Sequence, residues 1–253
     1  MARRNRKEEQ PIGVGMTSRQ FKHKKPINLD FLRKIEPLTE NQQKLFDAYA
    51  KDQNIVAYGS AGTGKTFIVL YNALKEVLNE RSPYEKIYLV RSTVSTRDLG
   101  FLPGILDDKI GIFEIPYKAM VKYMFAMPTD ADFEMLYGNL KNQGTISFWS
   151  TSFIRGVTLN NAIVIVDEFS NLNGHELDSI ITRVGENCKI MFCGDATQSD
   201  LIKMSERNGI IEFMKILRIM DSFEIIEFGI EDVVRSGIVK QYLLAKHELN
   251  ITL

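Results

Sequence analysis

Hydrophobic residues occur in this sequence as short continuous runs that are separated by longer stretches of mixed polarity. A run that is apolar at every position, such as Ile163–Val166, is typical of a strand that is covered on both faces of a sheet. The runs, together with one alternating segment, predict six strands: Asn54–Tyr58, Lys86–Arg91, Thr145–Ser150, Ile163–Val166, Lys189–Cys193 and Phe223–Phe228.

The stretches between these strands have the spacing of amphipathic helices. They predict helices over 39–52, Phe67–Leu78, 105–142 with breaks near Pro116 and Pro128, His175–Val184, Gly209–Met220 and Val233–Glu248. Thr39 can cap the first helix, with Gln42 three residues later, as in a capping box. Because strands alternate with helices, we expect an α/β fold with a mostly parallel sheet and helices on both faces. Ligand-binding loops should then lie at the carboxyl ends of the strands.

The first 37 residues differ from the rest of the chain in composition. Residues 1–26 have few apolar residues and no periodicity, which predicts a largely disordered arm, and Asn28–Leu32 is a candidate docking element. Residues 1–34 hold ten basic and three acidic residues, a net charge of +7, although the whole chain has none. Such an arm either binds nucleic-acid phosphates or is only a solvated tail, and both interpretations stay open. Residues 38–253 are expected to form one domain.

Composition also excludes several classes of protein. No apolar run approaches the ~20 residues of a membrane span, and no apolar segment follows the basic N-terminus as in a signal peptide. Cys188 and Cys193 lack metal-ligand spacing, and the three histidines are scattered. We therefore expect a cytoplasmic protein without a membrane partner and without a histidine or cysteine metal site.

The segment Gly59–Thr66 reads Gly-Ser-Ala-Gly-Thr-Gly-Lys-Thr, which fits the pattern of a phosphate-binding loop. Glycines allow backbone N–H groups to point at phosphate oxygens, Lys65 supplies a positive charge for the β- and γ-phosphates, and Thr66 offers a hydroxyl to Mg²⁺. The pattern arises by chance in roughly one chain in a hundred of this length. Here a predicted strand precedes it and a predicted helix follows it. The candidate nucleotide ligands are Gly59, Ser60, Ala61, Gly62, Thr63, Gly64, Lys65 and Thr66.

Acidic residues follow the most apolar of the predicted strands. Asp167 at the end of Ile163–Val166 suits the second Mg²⁺-holding position of a phosphate-loop protein, and Glu168 could orient or deprotonate an attacking water. The alternative is two exposed acids at a strand end.

Two further features could contact the γ-phosphate of a bound nucleotide. Gln198, in the segment Gly194–Gln198, could contact the γ-phosphate or the water, although Gly-Asp is also common in ordinary turns. The arginines that could stabilise transition-state charge are Arg91, Arg155, Arg183 and Arg235. Any one of them, taken alone, is more typical of a surface ion pair.

The order of these motifs resembles the PhoH-like proteins, phosphate-starvation-inducible ATPases related to superfamily 1 helicases. The matching segments are Gly59–Thr66, Leu99–Gly104, Arg155–Asn161, Asp167–Glu168, Thr182–Gly185, Gly194–Gln198 and Asp232–Arg235. The resemblance implies a RecA-like P-loop core, ATP and Mg²⁺ as ligands, and remodelling of RNA or DNA. It also implies that Gln42 contacts adenine and that Gln198 senses the γ-phosphate. The family usually has Ala and Gln where this chain has Phe169 and Ser170, and the chain is similar to the compact members of bacteria and phages.

Three functions remain open at this point. The chain could be an ATPase stimulated by single-stranded RNA or DNA, such as a helicase, or a small-molecule kinase, or a nucleotide-dependent scaffold or switch. Glu168 and Gln198 argue against a kinase, which should exclude water from the γ-phosphate. Since only one core is expected, we further predict an oligomer, most simply a six-membered ring, in which Arg235 reaches the ATP of a neighbour. The alternative is that Arg235 pairs with Glu231 or Asp232 on its own surface.

Overall fold

The computed structural model describes residues 29–91, 106–151, 154, 156–195 and 204–249. Its strands are β1 Asn54–Gly59, β2 Lys86–Arg91, β3 Ile146–Ser150, β4 Ala162–Asp167, β5 Cys188–Gly194 and β6 Phe223–Phe228. They form one sheet in the order β3-β2-β4-β5-β1-β6, and every neighbouring pair is parallel. The predicted α/β fold is therefore confirmed. All six predicted strands are present with small shifts in their bounds.

Helices cover both faces of this sheet, as predicted. They are α1 Glu40–Ala50, α2 Lys65–Val77, α3 Leu106–Met124, α4 Asp130–Asn142, α5 Gly174–Ile181, α6 Met204–Arg218 and α7 Gly237–Glu248. All six residues of β4 are buried, and they divide between the two faces. Ile163 and Ile165 pack in a core with α1 to α4, whereas Val164 and Val166 pack in a second core with α5 and α6. None of the helices within the described ranges is long and apolar enough to cross a membrane.

Several helix boundaries differ from the sequence-based prediction: α6 begins at Met204 rather than Gly209, and α5 ends at Ile181 rather than Val184. The predicted break at Pro116 is wrong, because α3 continues through it. Pro116 lies on the exposed side of the helix. A proline lacks the N–H that would bond to the carbonyl one turn earlier, and a helix tolerates this loss best on its exposed side, where water can bond to that carbonyl. The last helix begins at Gly237 rather than Val233, because the chain leaves the short turn Ile230–Asp232 in an extended conformation at Val233. The carboxylate of Asp232 closes that turn by accepting from the backbone N–H of Gly229 (3.0 Å).

The first described residues, 29–33, form backbone hydrogen bonds with the residues at the end of α3. Residues Leu29–Phe31 form a single 3₁₀ turn, and Leu32 makes an isolated antiparallel bridge to Phe125. The N–H of Arg33 donates to the carbonyl of Met124 at 2.8 Å. The candidate docking element is therefore docked, and it lies beside the end of the sheet where the strands terminate. The rest of the predicted basic arm, 1–28, lies outside the described residues.

Candidate nucleotide-binding site

The phosphate-loop segment connects β1 to α2, in the predicted strand–loop–helix context. Gly59 has a φ of +115°, and a Cβ there would lie 2.2 Å from the carbonyl oxygen of Phe228 on the neighbouring strand β6. Gly62 has a φ of +76°, and a Cβ there would lie 2.8 Å from Cγ of Arg235. Both positions therefore require glycine, because side chains rarely adopt these angles and the space is already filled.

Lys65 is the first residue of α2 and is only 8% exposed. Its ammonium group donates to the carbonyl oxygens of Gly59 (2.8 Å) and Ser60 (2.6 Å) and to the hydroxyl of Thr63 (3.2 Å). Burial lowers the pKa of Lys65, although acidic groups nearby, Asp167 among them, oppose this. These three hydrogen bonds to oxygen atoms of the loop thus keep the ammonium group of Lys65 beside the loop.

Thr66 and Asp167 come together although they are distant in sequence. The Thr66 hydroxyl donates to Oδ1 of Asp167 at 2.7 Å, and the Tyr117 hydroxyl donates to Oδ2 at 2.6 Å. A hydroxyl beside a carboxylate suits Mg²⁺, which prefers oxygen ligands and is often held by one or two carboxylates together with substrate phosphates. Within the described ranges, no group of three or more histidines, cysteines or acids could hold a metal. The hydroxyl of Thr66 and the carboxylate of Asp167 suit a Mg²⁺ ion that would take its other ligands from phosphates and water.

Glu168 follows β4 in a left-handed conformation with φ of +51°. Its carboxylate forms an ion pair with Arg91 at the end of β2, 2.5 Å between Nη2 and Oε2. Burial works against the charge of Arg91, but the carboxylates of Glu168 and Asp167 outweigh it and raise the pKa of Arg91. The guanidinium also lies 5.6 Å from the ring centre of Phe113 on α3. Sequence reasoning gave Arg91 only as one of four arginines, yet β2 and β4 are neighbours, and that adjacency is what brings the pair together.

Gln42 has a buried side chain with both ends engaged. Its Oε1 accepts from the backbone N–H of Leu38 (2.7 Å), and its Nε2 donates to the carbonyl of Thr63 (2.9 Å). The Thr39 hydroxyl caps α1 by accepting from the N–H of Gln42, as predicted. The return half of the capping box is not formed, because Oε1 of Gln42 accepts from the N–H of Leu38, one residue before the cap, rather than from that of Thr39. The contact between Gln42 and adenine remains a prediction.

Arg235 lies against the phosphate loop of its own chain. The backbone N–H of Val234 donates to the carbonyl of Gly62 at 3.1 Å, and this bond brings Cγ of Arg235 close to Gly62. Among the described residues, Arg235 makes no ion pair. The carboxylate of Asp232 instead accepts from Nδ2 of Asn41 at 2.7 Å. The guanidinium of Arg235 is exposed at the mouth of the site.

A single cavity of about 1310 Å³ joins these groups. It exceeds the ~300–1,000 Å³ of common ligand pockets, so a nucleotide and a water molecule would fit together. Its lining includes Lys65, Thr66, Arg91, Asp167, Glu168 and Arg235. Gln198 and Arg155 lie outside the described residues, as does the segment Leu99–Gly104. The predicted role of Gln198 is therefore still a prediction.

The described parts of two segments that match the PhoH-like proteins, Arg155–Asn161 and Thr182–Gly185, lie at the opposite end of the sheet, where the strands begin. Oδ1 of Asn160 accepts from the backbone N–H of Glu186 at 2.9 Å, and Nδ2 of Asn187 donates to Oδ1 of Asn161 at 3.0 Å. A Cβ on Gly185 would lie 2.0 Å from Oδ1 of Asn160. The described parts of Arg155–Asn161 and Thr182–Gly185 thus pack against each other at the start of the strands, and they do not line the cavity.

The fold and the site together define a P-loop nucleotide-binding core of the RecA-like class. A glycine loop caps α2 after β1, and an aspartate at the end of β4 contacts the threonine of that loop. The family model described as "PhoH-like protein" matches residues 34–246, and the chain belongs to the PhoH-like family.

Known relatives agree with this assignment. A "PhoH-like protein" of Mycobacterium leprae is 32% identical over 228 residues, which cover 88% of this chain and 62% of that protein. "Protein PhoH" of Escherichia coli is 31% identical over 207 residues, which cover 81% of this chain and 56% of that protein. The chain thus spans only about three fifths of the length of these relatives. A large terminase from a thermophilic bacteriophage has a similar fold, with a TM-score of 0.52 and 13% identity over 83% of this chain and 50% of that one.

Proposed function

We propose that this chain binds ATP with Mg²⁺ and hydrolyses it. The observation that carries the proposal is the contact of Thr66 with Asp167, 2.7 Å apart, beside the buried ammonium of Lys65. A bound Mg²⁺ ion would neutralise charge on the phosphates, and Thr66 and Asp167 would hold it there. We assign this activity to the cytoplasm, where ATP is available.

Each residue of the site then has a specific role in binding or hydrolysis. The loop N–H groups and Lys65 bind the β- and γ-phosphates, and the N-terminus of α2 adds its positive dipole end. Glu168 orients a water molecule and accepts its proton as the water attacks the γ-phosphate. Its ion pair with Arg91 is made through Oε2, so the carboxylate can contact the water through its other oxygen. Gln198 contacts the γ-phosphate, and Gln42 contacts adenine, as the family resemblance implies.

Coupling to nucleic acid is the second part of the proposal. The net charge of +7 in residues 1–34 supports binding to phosphate backbones of single-stranded RNA or DNA. We expect the ATPase rate to rise when either nucleic acid is added. Deletion of residues 1–26 should weaken binding without changing sequence preference, and should reduce its dependence on salt. Unchanged binding after the deletion would refute the role of the arm.

The same assay separates the alternative functions. A small-molecule kinase would transfer the γ-phosphate to an acceptor and release little free phosphate. A scaffold or switch would bind ATP and hydrolyse it slowly, with no response to nucleic acid. Phosphate release that rises with single-stranded RNA or DNA is the outcome that the proposal requires.

We further propose that Arg235 acts in a ring of subunits, six in the simplest case. Beside it, α7 leaves apolar side chains uncovered, with Ile238 78% and Tyr242 67% exposed, so this face suits contact with another copy. Arg235 also lies near its own Gly62, and a role within one chain is the competing arrangement. An arginine supplied to a neighbour can be worth on the order of 10³–10⁵ in rate.

Subunit mixing distinguishes the two arrangements. Lys65→Ala and Arg235→Ala subunits, each inactive alone, should recover activity when mixed, because some shared sites would be intact. The Lys65→Ala, Arg235→Ala double variant mixed with Lys65→Ala is the matched control and should stay inactive. Absence of rescue after confirmed mixing would assign Arg235 to its own chain.

A further inference from the structure

Both oxygen atoms of the Asp167 carboxylate receive hydrogen bonds from hydroxyl groups on different helices. Thr66 on α2 donates to Oδ1 at 2.7 Å, and Tyr117 on α3 donates to Oδ2 at 2.6 Å. The first contact belongs to the phosphate-loop arrangement. The second comes from a helix between β2 and β3, 50 residues earlier in the chain, and no motif in the sequence indicated it.

The surroundings of Tyr117 fix its hydroxyl firmly. The side chain is 3% exposed, and its ring packs against Phe148 of β3 with 5.6 Å between ring centres. A phenol with an ordinary pKa of about 10 carries its proton at neutral pH, so the Tyr117 hydroxyl acts as a hydrogen-bond donor to Asp167.

A carboxylate that is held through one oxygen has little freedom to rotate. With Oδ2 held by Tyr117, Oδ1 is directed at the Thr66 hydroxyl, which is the position where a Mg²⁺ ion would be shared between the two. Without the phenol, the carboxylate could turn, and Oδ2 would be left buried without its strongest donor. Groups that orient metal-binding side chains in this way typically alter metal affinity by about 10–100-fold when they are removed.

We propose that Tyr117 is a positioning residue that orients Asp167 for the Mg²⁺ ion of a bound nucleotide. This inference rests on the proposed function, because it takes the ion to be the one that accompanies ATP. It extends the site to α3, which otherwise lies outside the phosphate-loop motifs. The same helix contacts Arg91 through Phe113, so α3 supports both acidic residues at the end of β4.

The test compares Tyr117→Phe with the wild-type chain by metal binding rather than by turnover. Mn²⁺ is titrated into the ADP-bound protein, and free Mn²⁺ is followed by electron paramagnetic resonance. We expect the half-saturating Mn²⁺ concentration to rise about 10–100-fold in Tyr117→Phe. The affinity for ADP in the presence of EDTA should stay within about twofold, which corresponds to about 0.4 kcal/mol.

Tyr84→Phe is the matched control. Tyr84 is also a buried tyrosine that donates to an aspartate, Asp52, at 2.8 Å, but it lies where the strands begin, at the other end of the sheet. Its replacement should lower stability without moving the Mn²⁺ titration. Phe148→Leu provides a second variant, which loosens the packing of the Tyr117 ring and keeps the hydroxyl. It should shift the titration clearly less than Tyr117→Phe.

Each outcome has a distinct meaning. An unchanged Mn²⁺ titration in Tyr117→Phe, or an equal shift in Phe148→Leu, overturns the positioning role and leaves the proposed ATPase intact. A wild-type chain whose ADP complex binds no Mn²⁺ refutes the Mg²⁺ site of the proposed function, and the role of Tyr117 with it. If Tyr117→Phe does not fold, the Phe148→Leu titration decides, because a shift of about 10-fold or more there would indicate packing alone.

Discussion

Replacement of Glu168 by glutamine separates ATP binding from ATP hydrolysis, because it removes a charge and keeps the shape of the side chain. The structural cost is small. The side chains of Arg91 and Glu168 are 24% and 41% exposed, and ion pairs that water reaches contribute about 0–1 kcal/mol. In a chain of this size, about 1 kcal/mol corresponds to a shift of about 2–4 °C in Tm. Glu168→Gln should therefore fold, with a Tm within about 4 °C of the wild type.

The chemical cost should be much larger. A positioned general base contributes about 10²–10⁴ in rate, and glutamine cannot accept the proton from the attacking water. Thr66 and Asp167 are unchanged, so the variant should still bind ATP with Mg²⁺. We expect kcat to fall about 100–10,000-fold while ATP affinity stays near that of the wild type.

Two measurements on the same preparations check this prediction. Phosphate release at saturating ATP gives kcat, and equilibrium binding of a labelled ATP analogue gives affinity. Glu134→Gln is the matched control, since Glu134 pairs with Lys118 at 2.6 Å and does not line the cavity. If Glu168→Gln hydrolysed ATP at the wild-type rate, the assignment of Glu168 as the base would be wrong.

Two further predictions concern stability. Gly59→Ala should lower the free energy of unfolding by about 1–3 kcal/mol in urea titrations, because its Cβ would clash with the Phe228 carbonyl. Gly138→Ala in α4 is the matched control, because a Cβ there has no other atom within 4 Å. This variant should raise the free energy of unfolding by about 0.5–1 kcal/mol. Equal effects would contradict this account of the loop. Burial disfavours ionisation of Asp52, but hydrogen bonds from Lys189 and Tyr84 outweigh it and lower the pKa of Asp52 below 3.8. The stability that ionised Asp52 contributes is therefore fully present above about pH 5 and is lost as the pH falls through 3.8 and then through the lower pKa of the folded state, so the wild type should lose its advantage over Asp52→Asn between about pH 5 and pH 2. A constant difference across that range would exclude this linkage.

The sequence predicted those parts of the site that depend on neighbouring residues. The loop Gly59–Thr66 has a fixed spacing that its backbone requires, and Asp167 follows a continuous apolar run that predicts a buried strand. Because parallel strands end at one edge of the sheet, Asp167 and Thr66 were expected at the same edge, but their direct contact was seen only in the structure.

Contacts between distant segments were not predictable in this way. The bond from Tyr117 to Asp167 depends on how α3 packs over the sheet, and the pairing of Arg91 with Glu168 depends on β2 lying next to β4. Periodicity reports which residues are buried but not which strands are neighbours. For the same reason the hydrogen bond from Nε2 of Gln42 to the carbonyl of Thr63 in the phosphate loop could be found only in three dimensions.

The central claim is that the loop Gly59–Thr66 binds ATP and that the chain hydrolyses it with Mg²⁺. Phosphate release from ATP by the wild type and by Lys65→Ala, purified identically and assayed with Mg²⁺ or with EDTA, tests this most directly. We predict release by the wild type in Mg²⁺ only, and background release by Lys65→Ala under both conditions. No hydrolysis by the wild type, or an equal rate in Lys65→Ala, would contradict the account.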